Sequence, residues 1–301
     1  MLAPEVQDRS IEPNAPSCPI NAIMAVAGSL PQIALEFEEG HGILWLTIKP
    51  EPKPVFTRQM LGSVVAVQEA IAGLWGNDPL SSPVRFLAYR GEGSFFTLGG
   101  DLDFILKAVE EGDHDSLRHY ATIGARGAVL NANGLDGVAV TISTIHAKAL
   151  GGGIDAPRSC HVMIAEEAAS FQYPEIKFNH FPITAPAVLV RRIGLEATKK
   201  VLLSGAEYSA REFHAMGGVE EVVEPGTGEA WIRDFVKKTA PSHRAFLGTH
   251  LSMLDQDTFE RDLRRAGDLW FDCMTAMSAE EIAKLRKISA IQDKMLARLK
   301  G

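Results

Sequence analysis

A chain of 301 residues, 46% hydrophobic and 23% charged, is long enough to bury a substantial core and has the balance of an ordinary globular protein. A formal net charge of −8, with no basic run beyond the pairs Arg191-Arg192 and Lys199-Lys200 (read as solvated helix faces), argues against nucleic acid as a partner. No stretch reaches the roughly 20 apolar residues of a membrane span. Cys18, Cys160 and Cys273 are odd in number and lack metal or redox spacing, so reduced thiols and a cytoplasmic location are expected.

Residues 1–30 hold Pro4, Pro13, Pro16 and Pro19 among scattered polar residues and read as a loosely ordered extension. Ile33, Leu35 and Phe37 alternate with polar or small residues, and Gly40-His41-Gly42 turns the chain into a second strand, Ile43–Ile48. Thr57 is placed to cap a helix carrying Met60, Val64, Val67, Ile71 and Leu74 on one side. A buried strand is expected at Val84–Tyr89 and further strands at Val138–Ile142, His161–Ala165 and Ala169–Tyr173, with helices over Leu102–Val109 and Ser116–Leu130. Alternation of this kind predicts an α/β core over residues 31–228 with largely parallel pairing. Residues 229–301 read as helix alone, a terminal region suited to oligomerisation. Its last helix opens at Ser278 with Glu281 three residues on, a capping box, and carries Ile282, Leu285, Ile288, Met295 and Leu299 on one side. That stripe must be buried, either on the chain's own core or on another subunit.

Two glycine-rich turns stand out, Leu98-Gly99-Gly100-Asp101 and Leu150-Gly151-Gly152-Gly153-Ile154-Asp155, each after an apolar stretch and before a helix start. Glycines there let backbone N–H groups approach a ligand closely. Gly151-x-Gly153-x-x-Ala156 formally fits a dinucleotide fingerprint, but no acidic residue ends the following strand at the required interval. A better match is an acyl-thioester site, in which the N–H groups of Leu98 and Gly152 hold an oxygen that becomes negative as an enolate forms. A carboxylate must then move a proton, and Asp155 and Glu175 are the candidates. His180, near Glu175 and beside Phe181, is the histidine placed to line the site, whereas His146 and His161 read as core or edge residues. Phe104, Ile105 and Leu106 fit either an acyl tunnel or ordinary helix packing.

Phe96-Thr97-Leu98-Gly99-Gly100-Asp101, Ala149-Leu150-Gly151-Gly152-Gly153, Pro174-Glu175-Ile176 and Phe181-Pro182, in that order, resemble the crotonase (enoyl-CoA hydratase/isomerase) superfamily. Ser204-Gly205, Tyr208-Ser209-Ala210 and Met216-Gly217-Gly218-Val219 extend the likeness to roughly residues 33–240. The resemblance implies a crotonase-type spiral of ββα units with a helical C-terminal region, and trimers or dimers of trimers. It also implies an acyl-CoA or acyl carrier protein thioester as substrate, with no metal or redox cofactor. Gly99, Gly100, Gly151 and Ile183 would then contact the substrate. Within the superfamily, Leu98-Gly99-Gly100-Asp101-Leu102, Glu111-Gly112-Asp113, Ser159-Cys160-His161 and Ile164-Ala165-Glu166-Glu167 resemble the diffusible-signal-factor synthases. Those enzymes dehydrate a 3-hydroxyacyl thioester and release the unsaturated acid.

Two positions depart from the family pattern. Asp155 stands where the first catalytic glutamate is expected, one methylene shorter, and Ile183-Thr184-Ala185-Pro186 replaces the small residues usual after Phe-Pro. Three roles for the acids follow. Asp155 and Glu175 act as a pair, or Glu175 acts alone as in family isomerases, or Asp155 serves only to cap its own helix, the one the glycines open. A plain enoyl-CoA hydratase or isomerase is the alternative activity, and a catalytically lapsed thioester-binding protein is the alternative class.

Overall fold

The computed structural model describes residues 19–27, 32–49, 51 and 53–300. Most of the proline-rich extension, Cys18 included, lies outside them. Pro19–Ala27 is a helix (α1) instead of loose chain, because Ile20 and Ile23 are buried in the main core.

The predicted hairpin forms as β1 (Ile33–Glu38) and β2 (Ile43–Ile48), antiparallel, with Gly42 in the left-handed region closing the turn. Thr57 caps α2 (Arg58–Trp75), its hydroxyl accepting the Met60 N–H at 3.0 Å. Trp75 completes the buried stripe where Leu74 was expected, and Leu74 faces solvent. Beyond it the chain repeats one unit. β3 (Phe86–Gly91) and β4 (Phe95–Thr97) lead into α3 (Leu102–Glu111), α4 (His114–Ala132) and a short turn, α5 (Gly134–Gly137). β5 (Val140–Ile145) and β6 (Lys148–Leu150) lead into α6 (Asp155–Ser159). β7 (Val162–Glu166) and β8 (Ser170–Gln172) lead into α7 (Ala185–Ser204). β9 (Glu207–Ser209), α8 (Ala210–Ala215) and β10 (Glu221–Val223) close the core, followed by α9 (Gly228–Thr239), α10 (His243–Met253), α11 (Gln256–Thr275) and α12 (Ala279–Lys300).

The first strand of each unit joins a six-stranded sheet in the order β1-β2-β3-β5-β7-β10, parallel after the hairpin. The second joins a four-stranded sheet, β4-β6-β8-β9. This is the expected spiral of ββα units. β2, β5 and β7 are buried along their whole length, as strands covered on both faces must be. Ile232 and Val236 of α9 and Leu247 of α10 cover one face against Trp45, Phe86 and Ile142. α2 and the second sheet cover the other. In α12, Leu285 is buried and Ile282 and Ile288 pack on Trp270 and its neighbours, so that part of the stripe lies on the chain's own core. The side chains of Met295 and Leu299 lie outside the described residues.

Candidate active site

Both glycine turns follow strands of the small sheet. β4 runs into Leu98-Gly99-Gly100 and the adjacent parallel strand β6 into Gly151-Gly152-Gly153, so register sets the turns side by side. Gly99 takes φ +95°, and a Cβ on it would press on the Leu150 carbonyl. Gly151 takes φ +53°, and a Cβ there would collide with Glu175 Oε1. Here glycine is needed twice over, for the left-handed backbone and for the space it leaves to the acid. Tyr120 of α4 ties the first turn down: its hydroxyl donates to the Phe56 carbonyl at 2.7 Å and accepts the Asp101 N–H at 3.2 Å.

The turns open on a cavity of about 440 Å³ with mostly apolar walls. Leu98, Gly99, Gly100, Gly151, Gly152, Glu175 and Ile183 all line it, as does Ile105. Walls that sequence reading did not supply come from Phe56, Tyr120, and Trp270 of α11 with Ile288, Ile291 and Gln292 of α12. Gln292 also donates to the Leu98 carbonyl at 3.2 Å. Trp270, Ile288 and Gln292 carry no local motif that would mark them.

Glu175 follows β8 and is 8% exposed. Its Oε2 is buried without a hydrogen-bond partner. Burial pushes its pKa up to about 8; the Asp155 carboxylate adds to the rise, and the backbone N–H groups of Glu175 and Gly152 oppose it. Such a group gains or loses a proton near neutral pH, as a general acid or base must.

Asp155 is placed differently. It is 1% exposed and forms no part of the cavity wall. Its Oδ1 accepts the Tyr173 hydroxyl at 2.6 Å and its Oδ2 the Thr184 hydroxyl at 2.7 Å. Burial raises its pKa to about 7 against the lowering effect of those hydroxyls and of the Ala185 and Thr184 backbone N–H groups, which open α7. The carboxylate therefore braces the start of a neighbouring helix. The two expected oxyanion donors are also engaged within the chain. Leu98 N–H donates to the Pro54 carbonyl at 2.6 Å, and Gly152 N–H acts on the Glu175 carboxylate.

His180 lines the cavity beside Glu175, and its backbone N–H donates to the Glu175 carbonyl at 3.0 Å. His161 is a core residue, its Nδ1 accepting the Thr141 N–H at 3.0 Å, with burial pushing its pKa down to about 3. Arg192 is no solvated face residue: it turns inward and donates to the Cys160 carbonyl at 2.6 Å. Among the described residues no group of three His, Cys, Asp or Glu side chains is spaced to hold a metal, and no helix is long and apolar enough to cross a membrane.

Residues 83–267 match the family described as enoyl-CoA hydratase/isomerase. The chain belongs to that family. A Thermus thermophilus protein assigned as an enoyl-CoA hydratase is 26% identical over 211 residues, covering 69% of this chain and 79% of its own. Two solved structures share the enoyl-CoA hydratase/isomerase fold. The enoyl-CoA hydratase of Bacillus halodurans has a TM-score of 0.74 at 18% identity, covering 85% of this chain and 99% of that one. An enoyl-CoA hydratase/isomerase of Xanthobacter autotrophicus Py2 has a TM-score of 0.70 at 22% identity, covering 89% and 99%.

Proposed function

We propose that the protein interconverts 2-enoyl and 3-hydroxyacyl thioesters, with Glu175 as the acid–base group. The observation that carries this is Glu175 itself, a buried carboxyl with a free oxygen on the wall of an apolar cavity, between two glycine turns. In hydration its carboxylate takes a proton from water as the water oxygen bonds to C3. The C2=C3 electron pair moves to C2 and is shared with the thioester oxygen as an enolate. The carboxylic acid then returns that proton to C2. The N–H groups of Leu98 and Gly152 receive the enolate oxygen, exchanging their present partners for it, and each such donor contributes about 3–4 kcal/mol. Asp155 holds the start of α7 through Thr184, a residue of the cavity wall, and exchanges no proton with substrate. The apolar walls suit a fatty acyl chain carried on CoA or on a carrier protein.

Incubation with 2-enoyl and 3-hydroxyacyl thioesters on both carriers, read by mass spectrometry, tests this. Interconversion on either carrier, lost by about 10²–10⁴ in Glu175→Gln, is the expected result. A free cis-2-unsaturated acid among the products would assign the diffusible-signal type of activity. Tight thioester binding without turnover would overturn the reading in favour of a binding protein.

A further inference from the structure

His180 is 8% exposed, and its two ring nitrogens have different fates. Nε2 accepts the Trp270 indole N–H at 3.1 Å. An indole nitrogen can only donate, so Nε2 must carry a lone pair. Burial pushes the ring pKa down to about 4, which keeps the ring neutral near pH 7 and its one proton on Nδ1. That Nδ1 is buried and has no hydrogen-bond partner. The cavity wall thus holds two buried polar atoms without partners, a donor on His180 and an acceptor, Oε2, on Glu175. Leaving such groups unpaired costs about 1–3 kcal/mol each, so the two are matched in chemistry to an oxygen that both accepts and donates. Asp155 lines no part of the cavity, and each of its oxygens already accepts a hydroxyl hydrogen bond.

We infer that His180, fixed in its Nδ1–H form by Trp270, donates to the C3 hydroxyl of the acyl thioester, the oxygen that leaves as water or arrives as water. This rests on Glu175 being the acid–base group and names the residue that orients the oxygen for it. Trp270 is then a positioning residue: it touches His180 and sets which nitrogen bears the proton. Glu175 accepts from the same hydroxyl when ionised and, once it has taken the C2 proton, passes that proton to the oxygen as it departs.

Binding to the Glu175→Gln protein, by calorimetry, separates this role from packing. The probes are both enantiomers of 3-hydroxyoctanoyl-CoA, compared with octanoyl-CoA, which lacks the hydroxyl. One hydroxy enantiomer should bind about tenfold more tightly than octanoyl-CoA. Adding His180→Ala should bring the two affinities together, and adding His180→Asn, whose amide N–H replaces Nδ1–H, should restore most of the preference. An unchanged preference in the His180→Ala protein overturns the inference, as does an equal loss for both ligands. Should that variant fail to fold, the ¹⁵N resonance of His180 Nδ1 carries the test. It should shift with the hydroxy ligand and not with octanoyl-CoA, and the opposite result overturns the inference. Failure of every thioester to bind would instead sink the reading of the cavity as a thioester site.

Discussion

Gly151 and Glu175 share one space: a side chain on the glycine would overlap the carboxylate oxygen of the acid. The residues lie at the ends of the adjacent parallel strands β6 and β8, so the sheet register brings the acid to the gap the glycine leaves. Gly151→Ala should cost about 1–2 kcal/mol for the left-handed backbone. It should also lower turnover by about 10²-fold by displacing the carboxylate. Gly112→Ala, at φ +67° with open space around it, carries the backbone cost alone. Urea midpoints and kcat for both variants check the distinction.

The raised carboxyls set the pH dependence. Glu175 rises from 4.5 to about 8 and Asp155 from 3.8 to about 7. Between the low and high values the folded protein holds protons that the unfolded chain has released, so stability falls as pH rises through that window. Glu175→Gln should flatten the decline. Its urea midpoint should drop less than that of the wild type between about pH 5 and about pH 9. Hydration, which needs ionised Glu175, should rise in kcat/KM through about pH 8.

Asp155 gives a test of brace against acid. Asp155→Ala leaves the Tyr173 and Thr184 hydroxyls buried without an acceptor and should cost about 2–6 kcal/mol. Asp155→Asn keeps an acceptor oxygen and should retain turnover within about tenfold, against the 10²–10⁴ loss for Glu175→Gln. An Asp155→Asn loss as deep as that would return Asp155 to the chemistry.

Arg158 is fully buried and pairs with both oxygens of Glu220, at 2.9 and 2.7 Å, while donating to the Gly218 carbonyl at 2.8 Å. Glu220→Gln strips a buried guanidinium of its counter-charge and should cost about 3 kcal/mol in urea unfolding. Burial opposes ionisation of Glu220, but the bonds and charge of Arg158 hold its pKa below the usual range. Its stabilisation is therefore lost as pH falls through that lowered value, and the variant should show a shallower acid transition.

The hairpin, the glycine turns and Glu175 could be read from sequence because each declares itself within a few consecutive residues. β4, β6 and β9 could not, each being three residues long and running straight into a glycine turn or a helix start, whereas β8, just as short, is extended by apolar Ala169 and Tyr173. The pairing of His180 with Trp270 joins residues brought together only by the docking of α11, and no local pattern marks it. Asp155 was legible as an acid but not as a buried brace, because Tyr173 and Thr184 decide that from outside its own segment.

The cavity wall is finished by Trp270, Ile288 and Gln292, all carried by α11 and α12. That wall links ligand and helices: whatever fills the cavity favours the docked α11 and α12 over any undocked state, so occupancy should protect that segment from proteolysis.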